Sequence, residues 1–205
     1  MRIAIIGAGN VGSTLGRAWQ RLGHEITYGV RQPGDTRHAG LGTAVTDNAT
    51  AVADAEVVAV CTPWQGTQAA VTACGDLTGK VLIDCTNPLT PDVAALDLGH
   101  TTSGAEQIAA WAPGARVCKT MNQIGAPMMD TPALPTAPVM FVCGDDNTAK
   151  DIAAQLVQEL GFETLDAGDL TAARLLEPLA LLWIHMALRR GLGTQWALGV
   201  LHIDS

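Results

Sequence analysis

Arg2-Ile3-Ala4-Ile5-Ile6-Gly7-Ala8-Gly9-Asn10-Val11-Gly12 is the stretch whose reading decides the fold of this chain. Ile3 to Ile6 is an unbroken apolar run, as expected of a strand buried on both faces of a parallel sheet. Gly7 to Gly12 supplies the spacing G-x-G-x-x-G, and Val11 to Leu22 reads as the helix that follows it. A strand that ends in this pattern and hands over to a helix opens a dinucleotide-binding unit. In such a turn Gly7 permits the tight bend, Gly9 lets a pyrophosphate approach the backbone, and Gly12 lets helix pack close to strand. The free N–H groups around Asn10 and Val11, at the positive end of the helix, face the phosphates.

Working outward, β-branched runs alternate with Ala-rich helical stretches, the pattern of a parallel sheet wound with helices. Strands are predicted at Ile3 to Ile6, Glu25 to Tyr28, 43–46, Glu56 to Cys61, Lys80 to Asp84, Arg116 to Thr120, Val139 to Cys143 and Phe162 to Asp166. Helices are predicted at Val11 to Leu22, Gly66 to Ala73, Gly104 to Trp111, from Asp145-Asp146-Asn147 through Leu160, and Leu170 to Arg190. Pro127 to Pro138 reads as a proline-rich loop. The expectation is α/β: a Rossmann-type, doubly wound, mostly parallel sheet with a small C-terminal α/β extension. Residues 1–205 form a single domain in this reading, with residues 139–205 closing the cleft.

Composition narrows the function. Hydrophobic residues make up 48% of the 205 positions, ample for a core. A net charge of -8 argues against a nucleic-acid partner, which needs clustered Lys and Arg. Leu175 to Leu188, interrupted by Glu177 and Pro178, is expected to fall short of a membrane span. No secretory signal is read in the N-terminus, so a cytoplasmic protein is expected. Cys61, Cys74, Cys85, Cys118 and Cys143 lack the paired spacing of a zinc site and read as reduced core residues; no metal is expected.

The second strand discriminates between cofactors. An NAD site places Asp or Glu near its C-terminal end, where it accepts from the ribose 2′-hydroxyl. Here that end reads Tyr28-Gly29-Val30-Arg31, without a carboxylate. Arg31 is placed to pair with a 2′-phosphate, with Arg37 and His38 in the same loop. NADP(H) is therefore the expected cofactor.

Ligands in such sheets sit beyond the carboxyl ends of the strands. Those ends are Cys61-Thr62-Pro63-Trp64, Asp84 to Leu89, and Lys119 to Ile124. Thr62 and Pro63 belong to the cofactor wall, and Pro63 and Trp64 form an apolar face, unless Trp64 only packs. Asn87 or Asn122 orients the carboxamide or the substrate ring, with Ile124 beside them. Asp84 is expected to fix the loop after its strand. Lys119 reads chiefly as a strand-end lysine reaching solvent, and Arg174 and Glu177 as a pair on one helix side. With no His in these loops, a proton relay is poorly supplied. Hydride transfer between two rings held face to face needs little such help.

The chain resembles, over essentially its whole length, the NADPH-dependent F420 reductase family, and is similar to the cytosolic reductase domain of the STEAP metalloreductases. The matching elements are Gly7 to Gly12, Gly29-Val30-Arg31, Thr62-Pro63-Trp64, Thr102 to Glu106, Val142 to Asp146, Leu165 to Leu170 and Ala173 to Glu177. The resemblance implies NADP(H) held at Gly9 to Val11 and Arg31, with a flavin or deazaflavin across the nicotinamide. It departs at Val30, where Ser or Thr is frequent, and at Met121-Asn122-Gln123-Ile124, which is closer to the metalloreductase version. β-Hydroxyacid dehydrogenases and imine reductases share the N-terminal unit but add a long helical domain.

The function expected is NADP(H)-dependent hydride transfer with F420, FMN or FAD as the small-molecule partner, resting on Pro63, Trp64, Asn122 and Ile124, in a homodimer. The alternatives are reduction of a small carbonyl or imine, with Lys119 or a partner residue as acid, and a non-catalytic redox sensor whose nicotinamide pocket is obstructed by Met128 and Met129.

Overall fold

Side chains alternate across each strand, and this divides the core in two. In the computed structural model, which describes residues 1–130, 132 and 134–201, Ile3 and Ile5 of the first strand enter one hydrophobic cluster while Ala4 and Ile6 enter the other. Val57 and Ala59 against Val58 and Val60, and Val81 and Ile83 against Leu82, repeat the division. Both faces of the sheet are therefore covered, as the unbroken apolar runs predict.

The strands are β1 (Arg2–Ile6), β2 (Glu25–Gly29), β3 (Ala44–Thr46), β4 (Val57–Val60), β5 (Val81–Asp84), β6 (Arg116–Lys119), β7 (Val139–Gly144) and β8 (Glu163–Asp166). They form one sheet in the order β3-β2-β1-β4-β5-β6-β7-β8. Every neighbouring pair is parallel except β6 with β7, which is antiparallel. The Rossmann-type, mostly parallel sheet predicted from the sequence is thus present, and the strand order reverses between β1 and β4, where such folds bind their ligands.

The helices are α1 (Asn10–Arg21), α2 (Asn48–Val52), α3 (Trp64–Thr72), α4 (Gly104–Trp111), α5 (Asn147–Gln158) and α6 (Ala173–Ile184). Leu15, Ala18 and Trp19 of α1 and Ala149, Ala153 and Leu156 of α5 cover one face. The indole of Trp19 donates to the carbonyl of Leu156 at 3.0 Å and so ties the two helices. Val52, Val71, Ile108, Ala173 and Leu176 show that α2, α3, α4 and α6 cover the other face.

Three details differ from the sequence reading. The single turn of α2 was not foreseen; Asp47 caps it by accepting from the Thr50 N–H, too local a signal to stand out. Helix α3 starts two residues earlier than predicted, on Pro63. The final helix runs through Glu177-Pro178 as predicted for Leu170 to Arg190, with a 3-10 turn (Leu170–Ala172), α6 and a π-helical turn (His185–Arg189) continuous and Pro178 inside; what differs is its length and apolarity. That 20-residue run, Leu170–Arg189, is long and apolar enough to cross a membrane by length and composition, contrary to the expectation for Leu175 to Leu188. Its inner side, however, is packed in the core through Ala173, Leu176, Ala180 and Trp183. Thr131 and Ala133 of the expected proline loop, and residues 202–205, lie outside the described residues.

Candidate functional site

The glycine turn has the geometry its spacing requires. Gly7 stands at φ +100°, in the region that L side chains avoid. A Cβ on Gly12 would lie 2.0 Å from the Gly7 carbonyl oxygen, so that position admits no side chain. Gly9 has open space where a Cβ would be. Gly9 also caps α1 without a side chain, and no acidic residue stands in the first turn. The N–H groups of Asn10, Val11 and Gly12 at the start of α1 therefore have no intrahelical acceptor and no competing carboxylate. A pyrophosphate fits that cradle by charge and by space.

At the end of β2, Val30 is buried and its N–H donates to the Thr46 carbonyl at 2.9 Å, so its side chain serves packing. Arg31 follows it, exposed, and among the described residues it has no carboxylate partner. Arg37 is placed differently: its guanidinium is bound by Asp35 at 2.7 and 2.8 Å, and that carboxyl is held down at about 2 by the same contact. The structure thus leaves the Arg31 guanidinium without an ion pair among the described residues and occupies that of Arg37. Glu25 is exposed at the opposite end of the strand.

Beyond β4, the Thr62 and Thr67 hydroxyls bond each other at 2.9 Å, and Pro63 is exposed at the start of α3. The Trp64 indole donates to Asp97 at 3.2 Å and its ring lies 5.5 Å from that of Trp111. That engagement sets the Trp64 ring in the packing between α3 and α4. Beyond β5 and β6, Asn87 Nδ2 donates to the Asn122 carbonyl and Asn122 Nδ2 donates to Asn87 Oδ1 and to the Leu176 carbonyl. Met121, at φ +58°, makes the sharp turn that brings Asn122 back to Asn87. Ile124 is buried next to them in the core. Among the described residues, Asn122 Oδ1, Thr86 Oγ1, Thr120 Oγ1 and Gln123 Oε1 are buried without a hydrogen-bond partner, all in these two strand-end segments.

Beneath the strand ends lies a charged cluster that the sequence reading missed. Lys119 Nζ sits 2.6 Å from Asp84 Oδ2, 3.0 Å from Glu177 Oε1 and 2.8 Å from the Thr86 carbonyl, and all three charged side chains are fully buried. Burial opposes the charge on Lys119, but the two carboxylates outweigh it and hold its pKa above the ordinary lysine value. Burial pushes the Glu177 carboxyl up, against the pull of Lys119. Glu177 also accepts from the N–H groups of Gly104 and Ala105 at the start of α4. Asp84 fixes its following loop, as expected, by accepting from the Thr86 N–H at 2.8 Å.

Two expectations are corrected here. Lys119 does not reach solvent; its three protons are all donated inside the protein. Arg174 and Glu177 do not pair: Arg174 binds Glu106 of α4, and Glu177 turns inward to Lys119. The available signal was two charged residues at positions otherwise read as core, Lys119 ending an apolar strand and Glu177 inside an apolar helix.

The remaining chemistry-bearing residues are structural. All five cysteines are free and buried, with burial raising Cys74, Cys118 and Cys143 to about 12. Among the described residues no group of three or more His, Cys, Asp or Glu could hold a metal. Tyr28 is fully covered against Gly16, and burial raises its hydroxyl to about 12. Met129 is buried and Met128 packs against the same core cluster.

The C-terminal segment folds back to this edge of the sheet. The Val139 N–H donates to the Leu198 carbonyl, and Trp183 stacks on Trp196 at 5.3 Å. A Cβ on Gly125 would lie 2.8 Å from the Trp183 ring, so the indole presses on the loop after β6.

Comparison with known proteins places this geometry. Residues 2–88 match the family model described as NADP oxidoreductase coenzyme F420-dependent. A crystal structure from Arthrobacter sp. FB24, described as that of a candidate F420-dependent NADP-reductase, is 33% identical, with a TM-score of 0.89 over 98% of this chain and 100% of the other. The metalloreductase STEAP3 of Rattus norvegicus is 30% identical over 88% of this chain, which spans 36% of that protein's length. A reductive aminase from Aspergillus terreus in complex with NADPH and ethyl levulinate shares the fold, at 21% identity and a TM-score of 0.68 over 93% of this chain and 62% of that one.

Proposed function

The chain belongs to the F420-dependent NADP oxidoreductase family, and from that premise we propose that it moves a hydride between NADP(H) and a flavin or deazaflavin ring, F420 by preference. The observation that carries this reading is the confinement of Lys119. A reductase of carbonyls or imines needs a proton donor near the reacting atom. The lysine at the strand ends is sealed, and the chain's one tyrosine, Tyr28 of β2, is covered by α1 at Gly16. Ring-to-ring hydride transfer asks instead for two planes held at short range.

The chain's own residues supply that placement. The N–H groups at the start of α1 bind the pyrophosphate, with Gly9 leaving it room, and Arg31 holds the 2′-phosphate. Thr62, Pro63 and Asn87 line the nicotinamide side, while Asn122 and Ile124 set the floor and Trp64 braces the wall from the α3–α4 side. NADP(H), when bound, supplies the hydride chemistry. The extension over residues 139–201 closes the cleft, supported by the Trp183–Trp196 stack against Gly125. Exposed Leu188, Leu192 and Leu201, at the far end of the last helix and beyond it, support a homodimer contact there. A small-molecule partner, rather than nucleic acid or membrane, and a cytoplasmic setting complete the reading.

The test mixes purified protein and NADPH with F420, FMN, FAD or a panel of carbonyls and imines, and follows absorbance. Oxidation with F420 or a flavin is the expected result. Turnover with carbonyls alone overturns it, and tight NADPH binding without any turnover favours a sensor.

A further inference from the structure

We propose that the pocket between the loop after β5 and the outer side of the last helix receives the distal, anionic end of the hydride acceptor, with Arg189 and His185 as its anion contacts. This assignment rests on the hydride-transfer reading above and adds where the acceptor is gripped and which acceptors are favoured.

The pocket has a volume of about 270 Å³. Its walls are apolar, from Val93, Pro178, Leu181 and Leu182, and His185 and Arg189 stand in the same lining. That volume falls just below the range of roughly 300–1,000 Å³ typical of sites for whole ligands, so it suits part of a molecule. An apolar segment ending in a phosphate or carboxylate matches the lining.

Charge makes the cations unusual. The chain is acidic, with a net charge of -8, and its basic residues are largely spoken for. Arg2, Arg21, Arg37, Arg116, Lys119, Lys150 and Arg174 each make an ion pair. Among the described residues Arg17, Arg31, Lys80, Arg189 and Arg190 make none, and of these Arg189 lines the pocket and is exposed. Arg189 is steadied by one bond, donated to the Asp92 carbonyl at 3.2 Å. The Asp92 carboxylate is engaged by the Thr90 hydroxyl and the Ala94 N–H and also feels the Arg189 charge, without a direct ion pair, so the guanidinium keeps its other donors.

Two backbone irregularities converge on the same place. Val93 stands at φ +57°, a strained conformation for a β-branched residue. His185 to Arg189 form a π-helical turn, a distortion that concentrates at functional sites. The location agrees: the Val93 loop leaves the carboxyl end of β5, and Pro178 is the neighbour of Glu177, which reaches Lys119 at the strand ends. The pocket therefore borders the edge of the sheet where the nicotinamide is expected.

Riboflavin and FMN provide the test, since they share a ring and differ in the terminal phosphate. Each is titrated into NADP+-saturated protein at fixed ionic strength, following flavin fluorescence. FMN should bind at least about tenfold more tightly, as expected of one charge-assisted contact. Arg189→Ala should remove that preference without changing riboflavin or NADPH affinity, and Arg189→Lys should keep part of it. Equal affinity of the wild type for the two flavins, an undiminished preference in Arg189→Ala, or no saturable FMN binding overturns the assignment. NADPH oxidation is read separately: FMN gripped through Arg189 without turnover of FMN, FAD or F420 would sink hydride transfer and leave the anion site standing.

Discussion

Asn87 and Asn122 clasp each other across the ends of β5 and β6: Asn87 Nδ2 donates to the Asn122 carbonyl at 2.7 Å, and Asn122 Nδ2 returns a bond to Asn87 Oδ1 at 3.0 Å. Asn122 Nδ2 also reaches the Leu176 carbonyl of α6, so one side chain ties two strand-end loops to the C-terminal helix. Replacing it by alanine frees all three parts. Asn122→Ala is expected to lower turnover on the order of 10²-fold through lost alignment, with NADP+ affinity little changed. Steady-state kinetics beside equilibrium titration separate the two; a loss confined to NADP+ affinity would count against an aligning role.

Lys119→Met leaves two carboxylates buried without their counter-ion. The expected loss of stability is about 3–5 kcal/mol, the usual consequence of breaking a buried pair from one side. Urea unfolding measures it. A loss near zero would mean that water enters the cluster.

The Glu106–Arg174 contact gives a pH dependence of known sign. The bond from Arg174, backed by the Ser103 hydroxyl, holds the Glu106 carboxyl below its ordinary value of 4.5. A depressed carboxyl stabilises the fold above its unfolded pKa, and that stability is lost as pH falls through the folded one. The wild type should therefore lose stability below about pH 4.5 more steeply than Arg174→Met. Parallel urea midpoints from pH 7 to 3 check this, and superimposable slopes would contradict it.

Glycines 9 and 12 are expected to part company. Gly12→Ala drives a Cβ into the Gly7 carbonyl, so both stability and NADPH binding should fall. Gly9→Ala meets open space in the protein, so its melting temperature should hold while NADPH binding collapses. Thermal unfolding with and without NADPH distinguishes them.

Arg31→Ala should weaken NADPH by about 1.5–3 kcal/mol, the range of hydrogen bonds to charged groups, and leave NADH nearly unchanged. Equal weakening of the two dinucleotides would remove Arg31 from the 2′-phosphate site.

How far the sequence carries can be seen in particular residues. The turn at Gly7 to Gly12 was legible because its meaning is local: a left-handed glycine and a crowded Cβ lie within one βαβ unit. The caps at Asp146 and the glycine stops at Gly161, Gly191 and Gly193 were legible for the same reason. The Lys119 cluster was not. Its members come from β5, β6 and α6, and nothing in the neighbourhood of any one of them announces the others. The final helix, read from the sequence as continuous from Leu170 to Arg190, does run through Pro178, because packing of Ala173, Leu176, Ala180 and Trp183 outweighs one missing backbone bond. Trp64 was left open between wall and packing, and only its contacts with Asp97 and Trp111 distinguish them.

Four of the five tryptophans stand in two separate pairs, Trp64 with Trp111 between α3 and α4, and Trp183 with Trp196 between the last helix and the segment after it. Indoles with centroids 5.5 and 5.3 Å apart couple optically, each pair with its own interplanar angle, 31° and 19°. The protein thus carries an intrinsic spectroscopic gauge with two channels. Near-ultraviolet circular dichroism of the unlabelled chain, with Trp111→Phe and Trp196→Phe to assign the channels, would register which pair moves when a ligand binds.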